Sequence, residues 1–484
     1  MEKVVWDLKS NYEEFGKEES IFDCMVAEFL LCDGRYIPTQ ERALRDYKVT
    51  SLEELATLQQ QKLDKLPALQ KLLSEIELPL VRVLAQMEKN GIELDTSLLK
   101  NVGEEIEKAI VILEEKIKEE VGFEINLNSS VQVGNYLAEK AGVPLTKTKT
   151  GRFATNETEI AKFAGQFPIV SDILNYRELT KLRSTYVESL IEKVDGKNRV
   201  HTTYNQVAVS TGRLSSSNPN LQNIPVTSQF GQKIKSCFIA GKDNVLMSFD
   251  YSQQELRILA HLTGEEKLID AFKNSRDVHK ITASQIFHVD YDAVTKEQRM
   301  VGKTINFGII YGMSSYGMSV GLTIPVDEAQ GFIDTFYATY PKIQTYYENY
   351  LKQAKIDGFV ETMLGRRRYV FEYPQQKVID NSMRRVLMNY PIQGTAADLM
   401  KKAMIDLDRE VLSKEKDVKL LLQIHDDLVF EIRNPSMSSG QVSATTKELI
   451  KKIKSIMCGV YPLSVPIEVD VKIGKNWGDM EKII

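Results

Sequence analysis

Two apolar runs, Val418–Ile424 and Leu428–Ile432, stand on either side of His425, Asp426 and Asp427 in the stretch KLLLQIHDDLVFEI. Each run has the length and composition of a buried strand, and so short a joint makes them the two arms of a hairpin. Adjacent carboxylates at such a joint repel one another. A polar turn would account for them. A second carboxylate site elsewhere in the chain would give them a shared task.

At 484 residues the chain exceeds the size at which one core stops growing, so several domains or subdomains are expected. The composition, 43% hydrophobic and 27% charged, is that of a soluble globular protein. No window reads as a membrane span or signal peptide, so a cytoplasmic location, bacterial or viral in type and without excluding an organelle, is the expectation. The four cysteines are scattered without a C-x-x-C pair, against a disulfide framework or structural zinc. A net charge of −5 neither suggests nor excludes a nucleic-acid partner, because it averages over faces.

Residues 1–75 are the least specified. Ile21–Leu31 reads as an apolar helix or buried strand, followed by a glutamine-rich helical stretch. A new unit begins near residue 76, with an amphipathic helix ending at Asn90-Gly91. Ile106, Ile110, Leu113 and Ile117 form the stripe of a long helix, and residues 173–194 supply its antiparallel partner. From about residue 200 the texture changes. STGRLSSSNPNLQNIP (210–225) is polar and lacks secondary-structure signals, as expected of a surface working loop.

The second carboxylate lies in NVLMSFDYSQQELRILAHL. Val245–Phe249 is an apolar strand, the chain turns helical after Gln253, and Asp250 is left at the strand's end. One sheet can bring Asp250 beside Asp426. Close carboxylates are tolerated where cations neutralise them, and two Mg²⁺ ions roughly 3.5–4 Å apart would do so while serving phosphoryl transfer. Further along, Arg299, Lys303, Phe307 and Tyr311 recur every four residues. On a helix each is rotated only about 40° from the last, so two cations and two aromatics share a face suited to a triphosphate and a base. Gly302-Lys303-Thr304 is not a P-loop, because Glu297 occupies the place of that motif's first glycine. Arg366, Arg367, Arg368, Arg384 and Arg385 add basic groups between the two aspartate sites, read as phosphate-binding surface.

DYSQQELR (250–257), RMVGKTINFGIIYG (299–312) and QIHDD (423–427) resemble motifs A, B and C of the DNA polymerase I family, family A; TGRLSSSNPNLQNIP and NYPIQGTAAD match two more of its stretches in the same order. The resemblance covers roughly residues 76–484. It implies an α+β right-hand fold with an antiparallel palm sheet and helical fingers and thumb. The divisions would be 1–75, a degenerate 3′–5′ exonuclease-like remnant; 76–235, thumb and the start of the palm; 236–255, palm; 256–402, fingers; and 403–484, palm. The activity implied is extension of a DNA primer on a template with dNTPs, by a monomer using two Mg²⁺ ions, with Mn²⁺ as a substitute.

The same resemblance gives residues roles. Asp250, Asp426 and the Tyr251 carbonyl would ligate metal. Arg299, Lys303 and His279 would bind the triphosphate, with Lys303 counted among the catalytic groups. Gln253, Phe307 and Tyr311 would contact the nucleotide, and Glu255 would obstruct a ribose 2′-hydroxyl. Arg213, Asn220, Gln222, Asn223, Arg385, Asn389, Gln393 and His425 would contact DNA.

Three positions depart from the family pattern: Asp427 for a common glutamate, leaving it an accessory acid; Gln254 for isoleucine; and Met300 for a frequent arginine. No Asp-x-Glu pair occurs in residues 1–75, and Asn11 stands where a nuclease aspartate belongs, so neither proofreading nor a 5′ nuclease is expected. Two rivals are a single-subunit RNA polymerase, disfavoured by Glu255, and a non-catalytic primer–template binding module, disfavoured by Asp250, Asp426 and Lys303.

Overall fold

The computed structural model describes residues 3–16, 20–225, 228–370, 379–434 and 443–483. Near the N-terminus Lys3–Val5 pairs in parallel with Ile21–Asp23, and Asp23 then caps a helix over Cys24–Leu31. The apolar stretch 21–31 is thus a short strand running directly into a helix. α1 (Leu78–Asn90) ends where the spacing predicts, at Gly91. That glycine has φ 55°, and a Cβ there would lie 2.7 Å from the His201 ring, so both conformation and space demand its absence.

α2 (Thr96–Val121) buries Leu99, Val102, Ile106, Ile110 and Ile117 along one side, with Leu113 only partly covered. Its partner is α3 (Pro168–Lys181), which continues through residues 182–193. The predicted antiparallel pair is therefore present.

β1 (Asn244–Tyr251) leads into α4 (Gln254–Thr263), then α5 (Val278–Phe287) and α6 (Lys296–Ile310). α6 opens with a capping box: the Thr295 hydroxyl accepts from the Gln298 amide at 3.2 Å, and the Gln298 side chain accepts from the Thr295 amide at 3.0 Å. α7 (Asn381–Leu407) is the longest helix described and is buried over most of its length.

β2 (Val418–Ile424), β3 (Asp427–Arg433), β4 (Val469–Gly474) and β5 (Glu481–Lys482) complete a five-stranded antiparallel sheet in the order β2-β3-β1-β4-β5. Both faces of this sheet are buried. Met247, Phe249, Phe430 and Ile432 join the core shared with α4 and α7, while Leu246, Leu422 and Val429 join the core under α2 and α3. Burial on both sides explains why these strands read as continuous apolar runs rather than alternating ones.

The 210–225 segment is less exposed than its composition suggests. It contains a short strand, Ser215–Ser217, and buries Leu214, Ser216, Leu221 and Ile224. Hydroxyl and amide groups there are satisfied locally: the Leu221 amide donates to Ser216 Oγ at 2.9 Å, which lets a polar segment sit inside. No described helix is long and apolar enough to cross a membrane.

Candidate active site

The hairpin answers its own puzzle. Ile424 pairs with Asp427, leaving His425 and Asp426 as a two-residue turn, and His425 takes the positive φ, 54°, that such turns require. Register then places Asp427 and Asp470 directly opposite Asp250, one on each flanking strand. Three aspartates lie in one cross-strand row with Asp426 at its end. The Tyr251 amide donates to the Asp426 carbonyl at 3.0 Å, fixing the two strand ends together.

Burial, with the Asp427 and Asp426 charges beside it, pushes the Asp250 carboxyl up to about 7. Burial also raises Asp426 and Asp427. Asp427 differs in its surroundings: it accepts from Ser248 Oγ at 2.8 Å and feels Lys235 and Lys472. It is absent from the wall of the adjoining cavity, whereas Asp250, Asp426 and Asp470 line it.

That cavity, about 590 Å³, is the junction of β1, α4, α5, α6 and the 425–426 turn. Across from the aspartates α6 presents Arg299, Lys303 and Phe307 along one face, and Tyr311 caps its end. Phe307 and Tyr311 stack with ring centres 6.3 Å apart. His279 projects from α5, its Nδ1 2.9 Å from Asn306 Nδ2, and burial holds its ring neutral by pulling its pKa down to about 4. Gly302 permits this close pairing of helices, because a Cβ would come within 2.3 Å of the His279 carbonyl oxygen.

Glu255, buried at the start of α4, accepts from Arg213 Nη2 at 2.6 Å and from the Tyr311 hydroxyl at 2.8 Å. Burial raises its carboxyl despite Arg213. Arg257 is structural: it donates to the Ser252 carbonyl at 2.8 Å and to Glu468 at 2.7 Å, clamping the turn that leads into α4.

Of the residues singled out in the sequence, Tyr251, Gln253, Arg213 and His425 also line the cavity. Asn220, Gln222, Asn223, Arg385, Asn389 and Gln393 lie outside its wall. Gln222 Nε2 donates to Gln423 Oε1 at 3.0 Å, which ties the 210–225 segment to the hairpin, and the Asn220 side chain accepts from the Gln222 amide at 3.0 Å. Asn223 and Arg385 are exposed, while Asn389 and Gln393 are half-buried on α7.

The arginine run, read from the sequence as phosphate-binding surface, is paired with carboxylates instead. Arg366 is buried, with its guanidinium bonded to Glu77 and to Asp398 at 2.7 Å; Arg367 pairs with Glu361, and Arg368 lies 3.8 Å from Asp33. These carboxylates already occupy the run, so it is not free phosphate-binding surface. Arg384 and Arg385 are exposed. Sequence reasoning missed Asp470 and Asp277. Period-two alternation in IEVDVKIG could have placed Asp470 on the row of Asp250. Asp277, directly before VHKITA, carries no local signal that separates it from an ordinary helix cap.

The model of DNA polymerase family A matches residues 96–479. The thermostable DNA polymerase I of Thermus aquaticus is 44% identical over 407 residues, 83% of this chain and 48% of the relative. DNA polymerase I of Pseudomonas aeruginosa is 40% identical over 423 residues, 87% and 45%. The chain thus spans about half the length of these relatives. Among solved structures, the POL domain of Pol1 from M. smegmatis, in complex with DNA primer-template and dNTP, superposes with a TM-score of 0.88 at 32% identity, covering 99% of this chain and 86% of that one. The order of motifs, the α+β architecture and the paired strand ends agree with these matches, and the chain belongs to DNA polymerase family A.

Proposed function

We propose that the chain is a template-directed DNA polymerase that extends a DNA primer with dNTPs and releases pyrophosphate. The observation that carries this reading is the cavity itself: Asp250 and Asp426 form one wall, Arg299, Lys303 and His279 the other, with Glu255, Phe307 and Tyr311 between. A nucleoside triphosphate has that sequence of needs, an anionic tail and a flat apolar base joined by a sugar.

The donor set fits Mg²⁺. Asp250 and Asp426 offer hard carboxylate oxygens, the Tyr251 carbonyl a third, and the elevated Asp250 carboxyl indicates a site that gains from a cation. Bound there, two such ions would activate the primer 3′-hydroxyl and neutralise charge on the departing pyrophosphate.

The protein's own groups do the rest. Arg299 and Lys303 neutralise the β- and γ-phosphates, while neutral His279 donates a hydrogen bond without adding charge. Phe307 packs on the base. Glu255, held by Arg213 and Tyr311, fills the space a 2′-hydroxyl would need. Arg213, at the cavity edge, and Asn389 and Gln393 on α7 would read minor-groove acceptors, which are alike for A·T and T·A, so pairing is sensed without sequence preference.

Extension of a 5′-labelled primer with dNTPs, with rNTPs and without nucleotides tests the reading. Growth with dNTPs and an intact primer in the empty lane is expected, the latter because residues 1–75 lack an Asp-x-Glu pair. Asp250→Ala and Asp426→Ala should each abolish extension yet retain DNA binding. Retained extension in either variant sinks the metal assignment, and a shortening primer sinks the expectation of no proofreading.

A further inference from the structure

Arg299 is already engaged. Its Nε donates to Asp277 Oδ2 at 2.6 Å, while the other oxygen of that carboxylate accepts from the amides of His279 at 2.9 Å and Lys280 at 3.2 Å. One side chain therefore caps α5 and grips Arg299 of α6. Two further ties make the helix pair a unit: His279 Nδ1 to Asn306, and Asn306 Oδ1 accepting from Thr282 Oγ1 at 2.8 Å. Both ion-pair partners are partly solvent-exposed, Asp277 at 25% and Arg299 at 39%, so the pair lies outside the core, and Arg299 is its member on the cavity wall.

Among the described residues Arg299 is held through Nε, and Arg299 lines the cavity, where its two Nη groups supply further donors for an anion. The same carboxylate brings a negative charge close to where the phosphates of the proposed triphosphate substrate would bind. Met300, next along, is 57% exposed and carries no charge, so Arg299 and Lys303 are the α6 cations on this wall and the offset by Asp277 falls on one of two.

We infer that Asp277 is a positioning residue that aims Arg299 at the triphosphate and limits how tightly the polyphosphate product is held. It rests on the polymerase reading for the identity of that anion. Without the opposing charge the site would bind pyrophosphate more strongly and let it go more slowly. A polymerase must release pyrophosphate at every cycle, and a partly compensated arginine serves that need.

The test is Asp277→Asn, which keeps a side chain able to cap the helix and accept from Arg299 but removes the charge. Inorganic pyrophosphate binding by calorimetry should tighten about three- to tenfold, as expected for deleting one nearby charge in a partly hydrated site. The KM for dNTP should fall with kcat, and the melting temperature should hold. In an Arg299→Ala background the same substitution should tighten pyrophosphate binding by clearly less, because only the through-space charge effect is left. Weaker or equal pyrophosphate binding by a folded Asp277→Asn protein overturns the inference, as does an undiminished effect in the Arg299→Ala background. Asp277→Ser, another capping residue without charge, stands in if the asparagine variant does not fold. Primer extension by the unmodified protein is scored separately, so a failure of the polymerase reading is distinguished from a failure of Asp277.

Discussion

His279 shows how a single buried ring links the site to stability. Burial pulls its pKa from 6.5 down to about 4; Asp277 opposes this, while Arg299 and Lys303 reinforce it. A base whose pKa is depressed by folding contributes stability that is fully present above 6.5 and is lost as pH falls from there toward 4. The effect is at most about 3.5 kcal/mol, since one pKa unit corresponds to about 1.4 kcal/mol. Thermal melts of His279→Gln should therefore lose less between pH 6.5 and 4 than the parent does. Parallel curves would remove His279 from the acid response. Gln254 makes the opposite kind of statement. It is buried, lines the cavity, and neither amide atom has a hydrogen-bond partner among the described residues, a condition that costs about 1–3 kcal/mol. Gln254→Ile, which restores the usual family residue, should raise the melting temperature of the ligand-free protein; a lower value would mean the amide is satisfied in solution.

Elements were legible in the sequence where periodicity and punctuation agreed. The strand ending at Asp250, the HDD hairpin, the four-residue spacing on α6 and the stop at Gly91 all appear where the pattern puts them. What the sequence hid is pairing across distance. Arg366 reads as surface because its partner Glu77 lies 289 positions away, and nothing local announces a buried charge. Together Arg366, Lys401, Glu77 and Asp398 form a buried, charge-balanced group that joins the end of the 73–77 turn to the Phe359–Tyr369 hairpin and α7. A Cβ on Gly212 would lie 2.4 Å from Arg366 Nε, so this group also supports the loop that carries Arg213. Removing one member leaves an uncompensated charge inside. Arg366→Met should cost about 3–5 kcal/mol in urea unfolding, whereas Arg367→Ala, which breaks only its pair with half-exposed Glu361, should cost under about 1 kcal/mol. Equal effects would show that the buried group is not what holds the loop.

At the scale of the whole molecule the question is what residues before the matched family region do. The family match begins at residue 96, yet the solved POL domain covers 99% of this chain, so the early segment has a counterpart there. Its side chains are not a separate layer. Phe22, Leu30, Leu55 and Leu63 belong to the same core as Leu69, Leu73 and Ile76, and that core runs on into Met247 and Phe249 of the sheet. A polar tie follows the same route: Asp33 accepts from the Tyr369 amide at 2.8 Å, across 336 positions. A segment read as a nuclease remnant would then be kept as scaffold, its apolar residues closing the back of the polymerase core. Burying one leucine or phenylalanine is worth about 1.5–3 kcal/mol, and a domain's whole margin is about 5–15 kcal/mol, so losing several such residues at once approaches that margin. A chain starting at Pro67 should therefore melt well below the parent, by about 10 °C or more, or fail to stay soluble. If it instead melts within about 2 °C of the parent and extends primers equally well, the early segment is an appendage and the shared core carries no weight.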